Sequence, residues 1–163
     1  MTANTASREN TITITEVSAA EQRRRIDQAI ARRAYEIFES HGGMGWHELE
    51  DWRRAESEVR STLCFGVTTS IDSVLVGCDS GRFENESIQL WVAPRQITLC
   101  GKPHRPKVHA SGPALVYGGP VFRVIVLPAV IDPKGVFAHW KSSFLELHLP
   151  IVKAPSLVHA RAG

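Results

Sequence analysis

Hydrophobic and polar positions change their period once along this chain, near Ser61. Before it, Ile26, Ile30, Ala34, Ile37 and Phe38 recur at the three-to-four spacing that puts an apolar stripe on one side of a helix. Ser18-Ala19-Ala20-Glu21 has capping-box spacing at the start of that helix, and His41-Gly42-Gly43 supplies the glycine that ends it. A second helix is predicted from about His47 to Val59, with Leu49, Trp52, Ala55 and Val59 on one side. The two make a helical hairpin. Its apolar faces are too small for independence, so it is expected to dock on something else.

After Ser61 the pattern is that of short strands: Leu63–Val67, Ser73–Cys78, Ser87–Val92 and Arg95–Leu99, then Val121–Leu127, Val136–Trp140 and Phe144–Leu149. Ile88, Leu90 and Val92 alternate cleanly, as do Leu145, Leu147 and Leu149 against Glu146 and His148. The last three strands, around Pro128 and the turn Asp132-Pro133-Lys134-Gly135, read as a meander at one end of a sandwich. Between them residues 102–120 form a Pro- and Gly-rich loop whose one strand-like piece is Ala114-Leu115-Val116-Tyr117. About seven short strands with turns between them predict a mainly β, immunoglobulin-like sandwich behind an α-helical hairpin. Residues 1–17 read as a flexible leader, 18–60 as the hairpin, 61–151 as the sandwich and 152–163 as a flexible tail. Within the leader, Thr11-Ile12-Thr13-Ile14-Thr15 alternates like a strand. On its own it has no partner, so any pairing would be with a sheet edge elsewhere, that of another subunit included.

Composition narrows this picture little. A 163-residue chain with 43% hydrophobic and 22% charged residues is ordinary for one globular domain and an appendage. The formal net charge of +2 argues against a polyanion partner, although Arg23–Arg25 and Arg32-Arg33 cluster on the first helix. Glu48, Glu50, Asp51, Glu56 and Glu58 on the second helix could pair with those arginines across the hairpin, or both sets could be solvated. No run of 18 apolar residues occurs and the N-terminus has no export pattern, so no membrane association is expected. Cys64, Cys78 and Cys100 lack C-x-x-C spacing and read as small core residues in a reducing cytoplasm.

Candidate chemistry is sparse. Cys100 is followed by His104 and His109 in the long loop, but no third group orients an imidazole by spacing. His139 and His148 have no metal-ligand spacing, and His47-Glu48-Leu49-Glu50-Asp51 only superficially resembles a zinc-binding helix. No phosphate-binding glycine loop is present. The expectation is a protein without enzymatic activity, cofactor or metal.

Several motifs in order resemble a known family. Ala138-His139-Trp140-Lys141-Ser142-Ser143-Phe144-Leu145 resembles the A-x-x-x-n-G-V-L signature of the α-crystallin domain of small heat-shock proteins, with Ser143 at the glycine and Phe144 at the valine. Phe122-Arg123, Leu127-Pro128 and Asp132 resemble the stretch before it. Phe83, Ile88-Leu90-Val92 and Ile97-Thr98-Leu99-Cys100-Gly101-Lys102 fall at the family's upstream spacing. The resemblance covers roughly residues 61–151. Separately, Ala31-Arg32-Arg33-Ala34-Tyr35 through Gly42-Gly43 to Asp51-Trp52-Arg53-Arg54-Ala55-Glu56 is similar to a short bacterial helical-hairpin domain of unknown function.

The first resemblance implies an ATP-independent holdase, part of a stress response, that binds partly unfolded clients and works as a homodimer or small oligomer. It implies a client groove at Leu90 and Val92 on one strand with Gly135 and Phe137 on another. It also implies a dimer-contact loop at Leu115, Val116 and Tyr117. Two departures bear on assembly and on the last turn. Residues 152–163 contain no I-x-I, the motif with which family tails fill a neighbour's groove, and Ser143 replaces the signature glycine. The alternative is a non-enzymatic scaffolding module that uses the hairpin and sheet edges to bind one partner. Trp52 and Trp140 are expected as core anchors.

Overall fold

The computed structural model describes residues 12–84, 87–104 and 116–153. In these the chain forms two helices and two four-stranded sheets. The helices are α1 (Ala19–Ser40) and α2 (Glu48–Val59). The strands are β1 (Thr13–Glu16), β2 (Phe65–Thr69), β3 (Ser73–Asp79), β4 (Gln89–Ala93), β5 (Gln96–Gly101), β6 (Val121–Val126), β7 (Phe137–Lys141) and β8 (Phe144–Pro150). One sheet has the order β1-β4-β5-β6, the other β2-β3-β8-β7. The expected β-sandwich behind a helical hairpin is therefore present.

The alternation read from sequence fills the space between the sheets. Val74, Val76 and Cys78 on β3, Leu90 and Val92 on β4, and Leu145, Leu147 and Leu149 on β8 are fully buried in one cluster. Ile97, Leu99, Ile125 and Ile131 complete it. The last three strands are not a meander. Phe137–Lys141 and Phe144–Pro150 form a hairpin in one sheet, while Val121–Val126 pairs with β5 in the other. Pro128 explains the change: the ladder stops there, and Leu127 and Ile131 instead bond the carbonyls of Arg95 and Pro94.

Ser142 and Ser143 close the β7–β8 hairpin, since Lys141 lies opposite Phe144. Ser142 has a φ of 56°, the one non-glycine residue in the left-handed region among those described, whereas Ser143 has none of that requirement. The serine at the signature glycine is tolerated because the positive angle falls one residue earlier.

The helical hairpin is a roof over the outer face of the β1-β4-β5-β6 sheet. Ser18 Oγ accepts from the Glu21 amide at 3.2 Å, half of the expected capping box. The Glu21 carboxylate does not reach back. It binds Arg24 and Arg25, which hold it below the usual carboxylate range. Gly42 and Gly43 close α1 at φ of 80° and 69°. Ile26, Ile30 and Ile37 of α1 and Ala55 and Val59 of α2 pack with Trp91, Cys100 and Phe122 of the sheet. Gln22 is buried beneath α1: its amide donates to the Val17 carbonyl at 2.8 Å, and its oxygen accepts from Thr98 (2.7 Å) and Gln96 (3.1 Å). Arg33 is buried too, bonded to Glu58 across the hairpin and to Glu36 at 3.1 Å, with Arg54 closing on Glu58 at 3.1 Å. Of the expected arginine–carboxylate pairs across the hairpin, Arg33–Glu58 is the buried one.

Trp52 and Leu49 depart from expectation. Trp52 is 38% exposed and Leu49 more so, because only the C-terminal half of α2 reaches the sheet. Together with Met44 and Trp46 they leave an apolar tip on the hairpin. Trp140 is half-buried against the sandwich core. Cys64 is exposed rather than a core residue, whereas Cys78 and Cys100 are buried.

Candidate site at the sheet edge

β4 would be the bare edge of its sheet if the chain began at α1, and the residues before the helix occupy that edge. Thr13–Glu16, expected in a flexible leader without a settled partner, runs parallel to β4. Thr13 lies opposite Gln89, Ile14 opposite Leu90, Thr15 opposite Trp91 and Glu16 opposite Val92. The Val17 amide donates to the Val92 carbonyl at 2.9 Å, and buried Val17 leads directly into the cap of α1. The period of two puts Ile12 and Ile14 on one side of the strand, where both pack against the sandwich core, and turns the threonines outward. The edge therefore accepts an extended segment by main-chain pairing and takes two aliphatic side chains spaced two residues apart.

The four groove residues expected from the sequence are not brought together. Leu90 and Val92 face the core and are fully buried, with their strand's free edge paired to β1. Phe137 lies on the opposite surface of the other sheet, 56% exposed, stacked on the His148 ring at 4.5 Å. Gly135 sits exposed in the short 3-10 turn Pro133–Gly135, where a Cβ would meet the Pro150 ring at 2.6 Å. On this side the core-facing residues are Val136 and Ala138. Ile12, Ile14, Val136 and Ala138, which the sequence reading does not single out for a groove, pack against the core at these positions. The alternation of Thr11–Thr15 was the signal for the first two.

Of the expected dimer-contact loop, Leu115 lies outside the described residues. Val116 is exposed, but Tyr117 is turned into this chain. Its hydroxyl donates to the Pro120 carbonyl at 2.6 Å, the Arg33 guanidinium lies 5.3 Å from its ring, and burial pushes its phenol up to about 12. Residues 154–163 and His109 also lie outside the described residues.

Other edges differ from β4. β6 is partly blocked, because the Ser61 amide donates to the Phe122 carbonyl at 2.8 Å beside a bridge from Arg60. The outer face of the β2-β3-β8-β7 sheet carries Phe137, Phe144, His139, Lys141, Glu146 and His148, with Phe144 44% exposed. The Phe144 ring lies over Gly77, where a Cβ would stand 2.6 Å from it. Lys141 and His148 both bind Glu146, and Lys141 foremost holds that carboxylate below its usual range.

Cys100 and His104 are not brought together. Cys100 borders a cavity with Trp91, Lys102 and Phe122, whereas His104 borders another of about 700 Å³ with Leu63, Cys64 and Phe83. Burial pushes the Cys100 thiol up to about 12, away from the thiolate that nucleophilic chemistry needs. No group of three or more metal-binding side chains occurs among the described residues, and no helix there is long and apolar enough to cross a membrane.

Residues 26–61 match a family described as a protein of unknown function, DUF2934. No curated protein matches the chain. Solved structures similar to it include heat shock protein 16.0 from Schizosaccharomyces pombe, at 19% identity over 61% of this chain and 73% of that one, with a TM-score of 0.46. A small heat-shock protein from Xylella fastidiosa is similar at 14% identity over 64% and 98%, with a TM-score of 0.47. A rat α-crystallin domain is similar at 20% identity over 57% and 94%, with a TM-score of 0.40.

Proposed function

We propose that the protein is an ATP-independent holdase, which captures partly unfolded chains at a sheet edge and limits their aggregation. The observation that carries the reading is the pairing of Thr13–Glu16 with β4: a strand from outside the sandwich already docks there through main-chain bonds and two isoleucines. Unfolded chains offer the same groups, unpaired amides and carbonyls flanked by alternating apolar side chains. Binding them removes the species that self-associates, so protection follows by mass action without a nucleotide. The ordered motifs between Ser61 and Ile151 that resemble small heat-shock proteins support the same reading. A homodimer or small oligomer in the cytoplasm belongs to this proposal. The test is light scattering from a heat-labile client without ATP. Protection at a several-fold molar excess is expected, and its absence overturns the reading.

A scaffolding role is the second reading, and the apolar tip Met44, Trp46, Leu49 and Trp52 favours it. Removing the whole hairpin would not discriminate, because it also uncovers Trp91 and Phe122. The substitution pair Trp46→Ala and Leu49→Ala does. Client protection unchanged by the pair supports the edge-based holdase, and loss of one defined bound partner supports the scaffold.

A further inference from the structure

We infer that the crevice where the helical hairpin joins the sandwich binds a small anionic amphiphile, a single carboxylate on an apolar body. The inference goes beyond the holdase reading and does not rest on it. The crevice is the cavity of about 700 Å³ bordered by Cys64 and His104, a size common to small-molecule sites, which favour junctions of this kind. Four pieces of chain line it: residues 58–64 leaving α2, 79–83 at the end of β3, 103–104 after β5 and 117–121 entering β6.

Its lining is apolar and held in place. Phe83 and Val121 are buried in the sandwich core, and Leu63 and Tyr117 pack partly buried against it. Phe83 pairs with Pro103, and the His104 amide donates to the Arg82 carbonyl at 2.9 Å. The Leu63 amide donates to Ser61 Oγ at 3.1 Å, and the Tyr117 hydroxyl to the Pro120 carbonyl at 2.6 Å. With these polar groups engaged inside the chain, what the crevice offers a guest is apolar surface and side-chain charge.

Most of that charge is already matched. Glu58 is bound by Arg33 and Arg54, Arg60 is bonded to Glu56 at 3.0 Å, and Asp79 accepts from the amide of its own turn, Gly81, at 3.0 Å. Arg82 also borders the crevice, is exposed, and forms no ion pair among the described residues. The main-chain bond from His104 sets these two residues side by side, so a guanidinium and an imidazole share one stretch of the rim. A planar guanidinium donates two parallel bonds to a carboxylate, and an apolar tail attached to that carboxylate reaches the surface of Leu63, Phe83 and Val121. An occupant touching both the hairpin exit and the sandwich binds the folded chain alone, and so stabilises it by mass action.

Titration calorimetry of the full chain with dodecanoate tests this, with dodecanol and acetate as the tail and the head alone. Dodecanoate is expected to bind once per chain, dodecanol at least about ten-fold more weakly, and acetate not at all. Arg82→Gln, at an exposed position, is expected to bring dodecanoate down to the affinity of dodecanol and to leave dodecanol unchanged. Equal affinities for dodecanoate and dodecanol, or a dodecanoate affinity indifferent to Arg82→Gln, overturn the inference. So does binding of many molecules per chain.

Cys64 reports the place of binding on the unaltered chain, because its thiol is exposed on the rim of this cavity. Saturating dodecanoate is expected to slow alkylation of Cys64 at pH 8 by about ten-fold or more, and acetate is expected to leave it unchanged. A bulky adduct already on Cys64 is expected to block dodecanoate, whereas Cys64→Ser is expected to bind it as the native chain does. Dodecanoate that binds without protecting Cys64 sits elsewhere, as on the exposed Phe137 and Phe144, and that result overturns the assignment of the site. A midpoint of thermal unfolding that rises with dodecanoate in the native chain and not in Arg82→Gln supports it, and equal shifts in the two overturn it.

Discussion

Ser142 holds a backbone angle that glycine adopts without steric cost, and its neighbour Ser143 does not. Ser142→Gly is therefore expected to stabilise the fold by about 0.5–1 kcal/mol, and Ser143→Gly is expected to give no gain. Urea unfolding of the two variants checks this. At Arg33 the expected change is in the other direction. Arg33 and Glu58 are both buried, so Arg33→Ala leaves a carboxylate without its main counter-charge in the hairpin interface. A loss of about 3–5 kcal/mol is expected by the same measurement. Charge pattern could not single out Arg33 from Arg23, Arg24, Arg25 and Arg32, all solvent-compatible by type. Its position could have done so, since 26, 30, 33 and 37 share one helical face. A cation on a buried stripe is one that needs a partner across the interface.

Among the elements, the ties between α1 and the sheet are polar as well as apolar. Gln22→Ala removes the acceptor shared by Thr98 and Gln96 and the donor to the Val17 carbonyl, leaving those groups under the roof. The expected cost is about 1–3 kcal/mol by denaturant unfolding, and faster exchange of the Val17 amide should accompany it. The strands were legible where one face is buried and the other is not, as in β8, because the period of two leaves no other register. β4 was legible from the same alternation, although both of its faces are covered, one by the core and one by the hairpin. What alternation cannot reveal is which sheet a strand joins. Val121–Val126 reads as the neighbour of Phe137–Lys141 by proximity in sequence and lies in the other layer. The partner of β1 was hidden for the same reason, since a four-residue strand carries no address beyond Ile14 and the Ile12 that precedes it.

On the scale of the whole molecule, burial of ionisable groups sets a limit on the alkaline side. Burial pushes Cys78 up to about 11, with the Asp79 charge adding to it, and pushes Cys100 and Tyr117 up to about 12. In the unfolded chain these groups ionise near their ordinary values of about 8.5 and 10. Their raised folded values stabilise the fold fully below the unfolded values, and that contribution is lost as pH rises toward 11–12. Thermal unfolding is expected to fall with pH above about 9, less steeply in Cys78→Ala with Cys100→Ala. At pH 8 a thiol reagent should label Cys64 alone in the native protein and all three cysteines once it is unfolded.

The two broad sides of the sandwich are finished differently, one roofed by helices and one carrying Phe137 and Phe144 in the open. A slab sealed on a single side has no second flat surface with which to continue a stack. Contacts made slab to slab through the unsealed side of two copies would thus be complete at a pair.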